Sequence, residues 1–138
     1  MGIRTVIRAA LFSAALFISA SACAMKIERI GPALAHPWGM DFLDHNTVLV
    51  TLRGGGLMQI ALDDGKTTEI TGIPEVYSHR QGGLLDVVVA DGQIYLCYSA
   101  ILDGQSSTAI DRAILVDKAL IHRQTIFAGN NPTRSGHH

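Results

Sequence analysis

Short runs of apolar and β-branched residues, broken every few positions by Gly, Asp or Asn, make up the chain after residue 24. "MDFL", "TVLVTL", "LMQIAL" and "KTTEIT" succeed one another from Met40 to Thr71, with "DHN", "RGGG" and "DDGK" at the joins. Alternation near period two predicts strands. The joins predict turns, because Asn, Asp and Gly tolerate positive φ or bond their own backbone. No stretch beyond Ala24 carries a sustained 3.6-residue apolar stripe, so long helices are not expected.

The pattern then restarts. Asp41 opens "DFLDHNTVLV", and 45 positions later Asp86 opens "DVVVADGQIYLCY". Two further strands are predicted in the second unit, "STAIDRAILV" and "LIHRQTIFAG". Two units of four strands at this spacing match β-propeller blades, which run to about 40–50 residues each. A small sandwich also fits short strands at this spacing. Two blades do not close a ring, which normally takes about 4–8 of them, so the propeller reading implies a fragment with two bare, apolar lateral faces.

The first 24 residues stand apart from this pattern. "MGIRTVIRAALFSAALFISASACA" places Arg4 and Arg8 before an apolar run from Ala9 to Ala20 and closes on Ala22-Cys23-Ala24, a small-x-small cleavage pattern. The run is shorter than the roughly 18–20 residues of a spanning helix, so residues 1–24 read as a secretory signal peptide and the protein as periplasmic or secreted. Lipoprotein anchoring at Cys23 is the rival; against it, Ala20 stands where a leucine is usual. Without Arg4 and Arg8 the formal charge falls from −1 to −3, since all 12 acidic residues lie after the leader. That balance argues against nucleic acid as a partner. Only Cys97 remains, so no disulfide within the mature chain is possible, and its place in "YLCYS" reads as a small buried side chain.

Four stretches together resemble the soluble quinone-dependent aldose sugar dehydrogenases, the glucose/sorbosone dehydrogenase family. "LAHPWGMDFLDHNTVLVTLRGGGLMQI" is similar to the family's opening blade, with its Pro-Trp-Gly, Phe-Leu and Val-Thr-Glu-Arg before a Gly-rich turn. "GIPEVYSHRQGGLLDVVV" resembles a second landmark, a Pro-Glu segment running into Gln-Gly-Gly-Leu-Leu-Asp-Val; "IYLCYS" matches the next strand, and the closing "SGHH" resembles the opening of the third blade. The resemblance implies an all-β, six-bladed β-propeller, of which residues 25–138 are about the first two blades. It also implies oxidation of the anomeric hydroxyl of aldose sugars to lactones, with pyrroloquinoline quinone (PQQ) as hydride acceptor and Ca2+ polarising it. The fragment is expected to be inactive alone. The metal ligands and the basic residues that hold the cofactor's carboxylates are expected in later blades.

The same resemblance assigns two residues. His138 falls at the family's general base, a role that suits imidazole with its ordinary pKa near 6.5. His137 falls where related enzymes carry an orienting aspartate, a charge it cannot supply. Gln81 falls at a glutamine near sugar and quinone, where an amide can both donate and accept, and Gly82 and Gly83 would let backbone approach closely there. Two departures stand out: Leu52 replaces the glutamate after Val-Thr, and Arg80 replaces the glycine before Gln-Gly-Gly.

Other candidates read as structural. Trp38 and Met40 fit packing between blades, and the equivalent Asp41 and Asp86 fit turn-bonding roles rather than paired catalytic carboxylates. His36, His45, His79 and His122 lack metal-ligand spacing. "RGGGL" lies between strands with no helix after it, so it is not a phosphate loop. From a different functional class, a non-catalytic periplasmic β-propeller used for binding remains open, since fold does not fix function. A ring-shaped lactonase would need metal-binding acids that this segment does not display.

Overall fold

The computed structural model describes residues 25–102, 104–130, 132 and 134. Eight strands follow in order: β1 (Pro37–Asp44), β2 (Thr47–Leu52), β3 (Gly56–Ala61), β4 (Thr67–Ile70), β5 (Leu84–Ala90), β6 (Gln93–Leu102), β7 (Gln105–Val116) and β8 (Ala119–Ala128). They form two antiparallel meanders, β1-β2-β3-β4 and β5-β6-β7-β8. Each predicted apolar run became a strand and each predicted join a turn. The sandwich alternative is set aside, because the two meanders stack front to back, the face that the first buries being equivalent to the one that the second leaves bare.

The registers make the repeat explicit. Asp41 stands opposite Leu49 across β1 and β2, and Asp86 stands opposite Cys97 across β5 and β6. Leu49 and Cys97 therefore occupy equivalent places, yet their surroundings differ. Leu49 is fully buried with Leu57 and Ile70 against Val87, Ile94, Leu96, Tyr98 and Ala109 of the second sheet. Cys97 is half-buried on the far side of that sheet, in an apolar groove with Val88, Tyr95, Ile110 and Ile126. The face that blade 1 buries against blade 2 is thus the same face that blade 2 leaves bare. Blade 1 has a bare side too. There Met40 faces Val50 and Phe42 faces Val48 across the strand pair, and Trp38, Met40 and Phe42 are 53%, 56% and 55% exposed. The expected uncovered apolar flanks are present on both sides.

Polar groups set how the blades meet. The buried Thr51 hydroxyl accepts from Gly39 N (2.8 Å) and donates to the Leu85 carbonyl (3.0 Å), joining β1, β2 and β5. Asp41 accepts from Val89 N of β5 (2.7 Å) and from Phe42 N (2.8 Å). Asp41 and Asp86 do share an equivalent position, but neither bonds a turn. Both sit within strands, and Asp41 spans the gap between blades. Gly39 admits this closeness, because a Cβ there would lie 2.9 Å from the Leu85 carbonyl and collide with Asp86. At the outer rim, Thr71 N donates to the Lys118 carbonyl (2.8 Å) and Leu120 N to the Thr71 carbonyl (2.9 Å).

Inside blade 2, the buried carboxylate of Asp111 accepts from the Tyr98 hydroxyl (3.1 Å) and pairs with Arg123 of the edge strand β8. A charge this buried is tolerable only with such partners. Burial, with Asp111 nearby, pushes the Tyr98 phenol above its ordinary value.

Two outcomes are expected. Asp41→Ala strands the Val89 N–H and should lower unfolding free energy in urea by about 1–3 kcal/mol. Burial, and then the nearby Asp86 carboxylate, raise the Cys97 thiol pKa. Alkylation of Cys97 by iodoacetamide should therefore be slower than that of a free thiol at pH 8, with its pH midpoint displaced upward.

Candidate active site

Strand direction gathers the connecting segments at one end of the two sheets. β1, β3, β5 and β7 begin there, so the turn 53–55, the last part of the connection 71–83 and the segment after β8 lie on the same side, while Thr71 at the start of the connection is bonded to the β7–β8 hairpin. Gln81 lies in that connection.

The connection has no regular structure, and its hydrogen bonds go to neighbouring elements. Tyr77 N donates to the Ser99 carbonyl (2.7 Å), Ser99 N to the Gly83 carbonyl (2.8 Å) and Leu84 N to the Arg53 carbonyl (3.0 Å). Pro74 is buried beneath it. The tip is a four-residue turn from His79 to Gly82, closed by Gly82 N donating to the His79 carbonyl (2.9 Å). Arg80, its second residue, has φ of 55°, and Gln81 has no positive φ. That sign pattern belongs to the type II′ turn, whose first central position favours glycine. Here is a physical reason for the glycine expected at this place and absent from the sequence: Arg80 holds a glycine conformation.

Gln81, next in the turn, is exposed, as are His79 and Arg80. Gly82 and Gly83 are buried, and the close approach they permit is to the protein's own backbone. A Cβ on Gly82 would lie 2.5 Å from the Tyr77 carbonyl, and one on Gly83, at φ 149°, would collide with the Arg53 carbonyl. They seat the turn on the backbone beneath it.

Two residues given no role by sequence reasoning complete the picture. The Arg53 guanidinium donates to the Arg80 carbonyl. The Tyr77 hydroxyl approaches the Arg134 carbonyl at 3.4 Å, and its ring stands edge-on to His79, with centroids 6.0 Å apart. Arg53 was visible within "VTLR", but its partner is 27 positions away. No local period announces such a pair.

The segment after β8 is held where it leaves the sheet: Gly129 N donates to the Thr108 carbonyl (2.8 Å) and the Ser107 hydroxyl to the Gly129 carbonyl (2.7 Å). His137 and His138 lie outside the described residues, so the Tyr77–Arg134 contact is the last one that follows this segment toward them.

The chemistry of this end is mildly cationic. Arg53 and Arg80 stand against the one acid Glu75 in turn and connection. Among the described residues, no group of three or more His, Cys, Asp or Glu is placed to hold a metal. A cleft of about 390 Å³ between the sheets lies at the opposite end, beside Leu43, Gly92 and Asp117, and is remote from Gln81.

Comparison with known proteins bears on this arrangement. The sequence model of the Glucose / Sorbosone dehydrogenase family matches residues 34–138. Aldose sugar dehydrogenase YliI of Escherichia coli is 35% identical over 128 residues, covering 86% of this chain and 34% of that protein. The apo-form crystal structure of soluble aldose sugar dehydrogenase from Escherichia coli superposes with a TM-score of 0.70 at 37% identity, over 76% of this chain and 33% of that one. The PQQ-bound aldose sugar dehydrogenase from Streptomyces coelicolor gives 0.67 at 22% identity, over 75% and 33%, a likeness of fold alone. The chain thus spans about a third of the length of these relatives.

The turn geometry has a measurable consequence. Arg80→Gly should relieve the left-handed strain, partly offset by the freer unfolded chain, for a net gain of about 1 kcal/mol in urea unfolding.

Proposed function

Because the chain belongs to the glucose/sorbosone dehydrogenase family, we propose that it supplies the first two propeller blades of a PQQ-dependent dehydrogenase oxidising the anomeric hydroxyl of aldose sugars to lactones. Residues 1–24 act as a cleaved signal peptide and deliver residues 25–138 to the periplasm or beyond. Among the described residues no helix is long and apolar enough to cross a membrane.

The observation that carries this reading is convergence at one end of the blades. The turn bearing Gln81 and the segment leading to His138 emerge together, touching through Tyr77 and Arg134. In this reading the Gln81 amide, solvent-facing at a turn apex, donates to and accepts from a sugar hydroxyl and borders the cofactor. His138 takes the proton of the anomeric hydroxyl as hydride leaves the same carbon. PQQ, when bound, supplies the hydride acceptor, and Ca2+ serves it as a Lewis acid. Arg80, exposed beside Gln81, lends positive charge on this side of an anionic cofactor. The Streptomyces coelicolor protein carries PQQ on the same fold.

A third of a ring encloses no site, so the chain alone is proposed not to turn over. With PQQ, Ca2+, glucose and a dye acceptor, the 138-residue chain should show no quinone-dependent dye reduction. Joined in frame to the remaining blades of the Escherichia coli enzyme, it should reduce dye. In that fusion His138→Ala should lower kcat by about 10²–10⁴-fold; undiminished turnover would remove His138 from the mechanism.

A further inference from the structure

Arg53 sits where it can govern the Gln81 turn without touching a ligand. Its backbone carbonyl accepts from Leu84 N at the foot of the connection, and its own N–H donates to the His36 carbonyl (3.0 Å), so main-chain bonds fix the residue on both sides. From that anchored position the guanidinium reaches the Arg80 carbonyl. That oxygen belongs to the peptide between Arg80 and Gln81, the central peptide of the turn.

The orientation of this one peptide separates two turn types. In type II′ only the first central residue has positive φ; rotating the central peptide over gives type I′, with positive φ at both. The described turn has positive φ at Arg80 and not at Gln81. A flip would drive Gln81 into the left-handed region and swing its side chain to a new direction. A charged donor on the Arg80 carbonyl opposes the flip, since turning the oxygen away breaks a charge-assisted bond. Glycine at position 80 would tolerate either form; Arg80 is strained in both, so the choice falls to an outside contact.

Resting on the reading of Gln81 given above, we propose that Arg53 is a positioning residue that locks the central peptide of the His79–Gly82 turn and so aims Gln81. It acts through the turn and touches neither sugar nor cofactor.

Amide exchange on the 138-residue chain tests the lock directly. Arg53→Met keeps the side-chain stem and removes the donors. Gly82, whose N–H closes the turn, should lose about tenfold or more of its protection relative to Leu49 in the same sample. Arg53→Lys, with a single-point donor, should fall between Met and wild type. If Met unfolds the chain, the Lys variant decides: Gly82 protection below wild type supports the lock. Wild-type protection of Gly82 in a folded Met variant, or in Lys where Met does not fold, overturns it. The aiming is tested in the fusion with the Escherichia coli blades by combining Arg53→Met with Gln81→Ala. Arg53→Met should lower kcat/KM alone and add little once Gln81 is alanine. Additive losses overturn the proposal. If Gln81→Ala itself leaves kcat/KM unchanged, the reading of Gln81 fails, and with it the aiming role, whereas the exchange result still reports the lock.

Discussion

Two side-chain contacts to the backbone of β5 fix the register of a largely apolar seam, beside the backbone bonds at Thr71 and Arg53. The Thr51 hydroxyl and the Asp41 carboxylate each cross from blade 1 to β5, one to the Leu85 carbonyl and the other to Val89 N. The apolar side chains around them supply most of the attraction; a fully buried leucine such as Leu49 or Leu57 contributes about 1.5–3 kcal/mol. That attraction has no direction, and a sheet face of Leu and Val slides readily over another. Hydrogen bonds to named backbone atoms remove the freedom to slide, because any other register leaves buried donors and acceptors unpaired. Everything at the site end inherits this register. Arg53 follows Thr51 by two residues, and Leu84, which bonds the Arg53 carbonyl, precedes Leu85.

Legibility in the sequence followed the range of the interactions. Strands and turns depend on neighbours in the chain, and all eight strands lay in the alternation of apolar and polar positions. The repeat was equally plain, since Asp41 and Asp86 mark the same register place in successive blades. Roles decided across long separations were hidden. Asp41 read as a turn residue, yet its partner is 48 positions away. Cys97 read as buried because its neighbours are apolar, and its blade face is open all the same. Gly82 and Gly83 read as glycines that permit close backbone approach, and the backbone they approach is that of Tyr77 and Arg53. For Gln81, composition offered only an ordinary polar turn residue. Its candidacy came from family resemblance, and the structure adds an exposed turn apex.

Arg80 shows how a departure from a family pattern can leave geometry intact. A glycine at that place would adopt positive φ without strain; an arginine does so only where surrounding bonds over-determine it. Those bonds are visible: Gly82 N to His79 from within the turn, the Arg53 guanidinium from outside, and the Leu84 and Ser99 amides at its foot. The turn is therefore held by its frame, and side-chain identity at position 80 is secondary to it.

The front-to-back stacking of the blades carries one more implication. Because blade 1 offers blade 2 the very surface that blade 2 itself leaves open, the two exposed flanks are the two different sides of one kind of interface. Contact of this sort is polar in the geometric sense: it repeats by rotation in one direction and admits no two-fold axis to terminate it. Such a series ends only by meeting its own beginning. Closure into a ring, as the family resemblance implies, would thus also protect the protein from indefinite end-to-end growth.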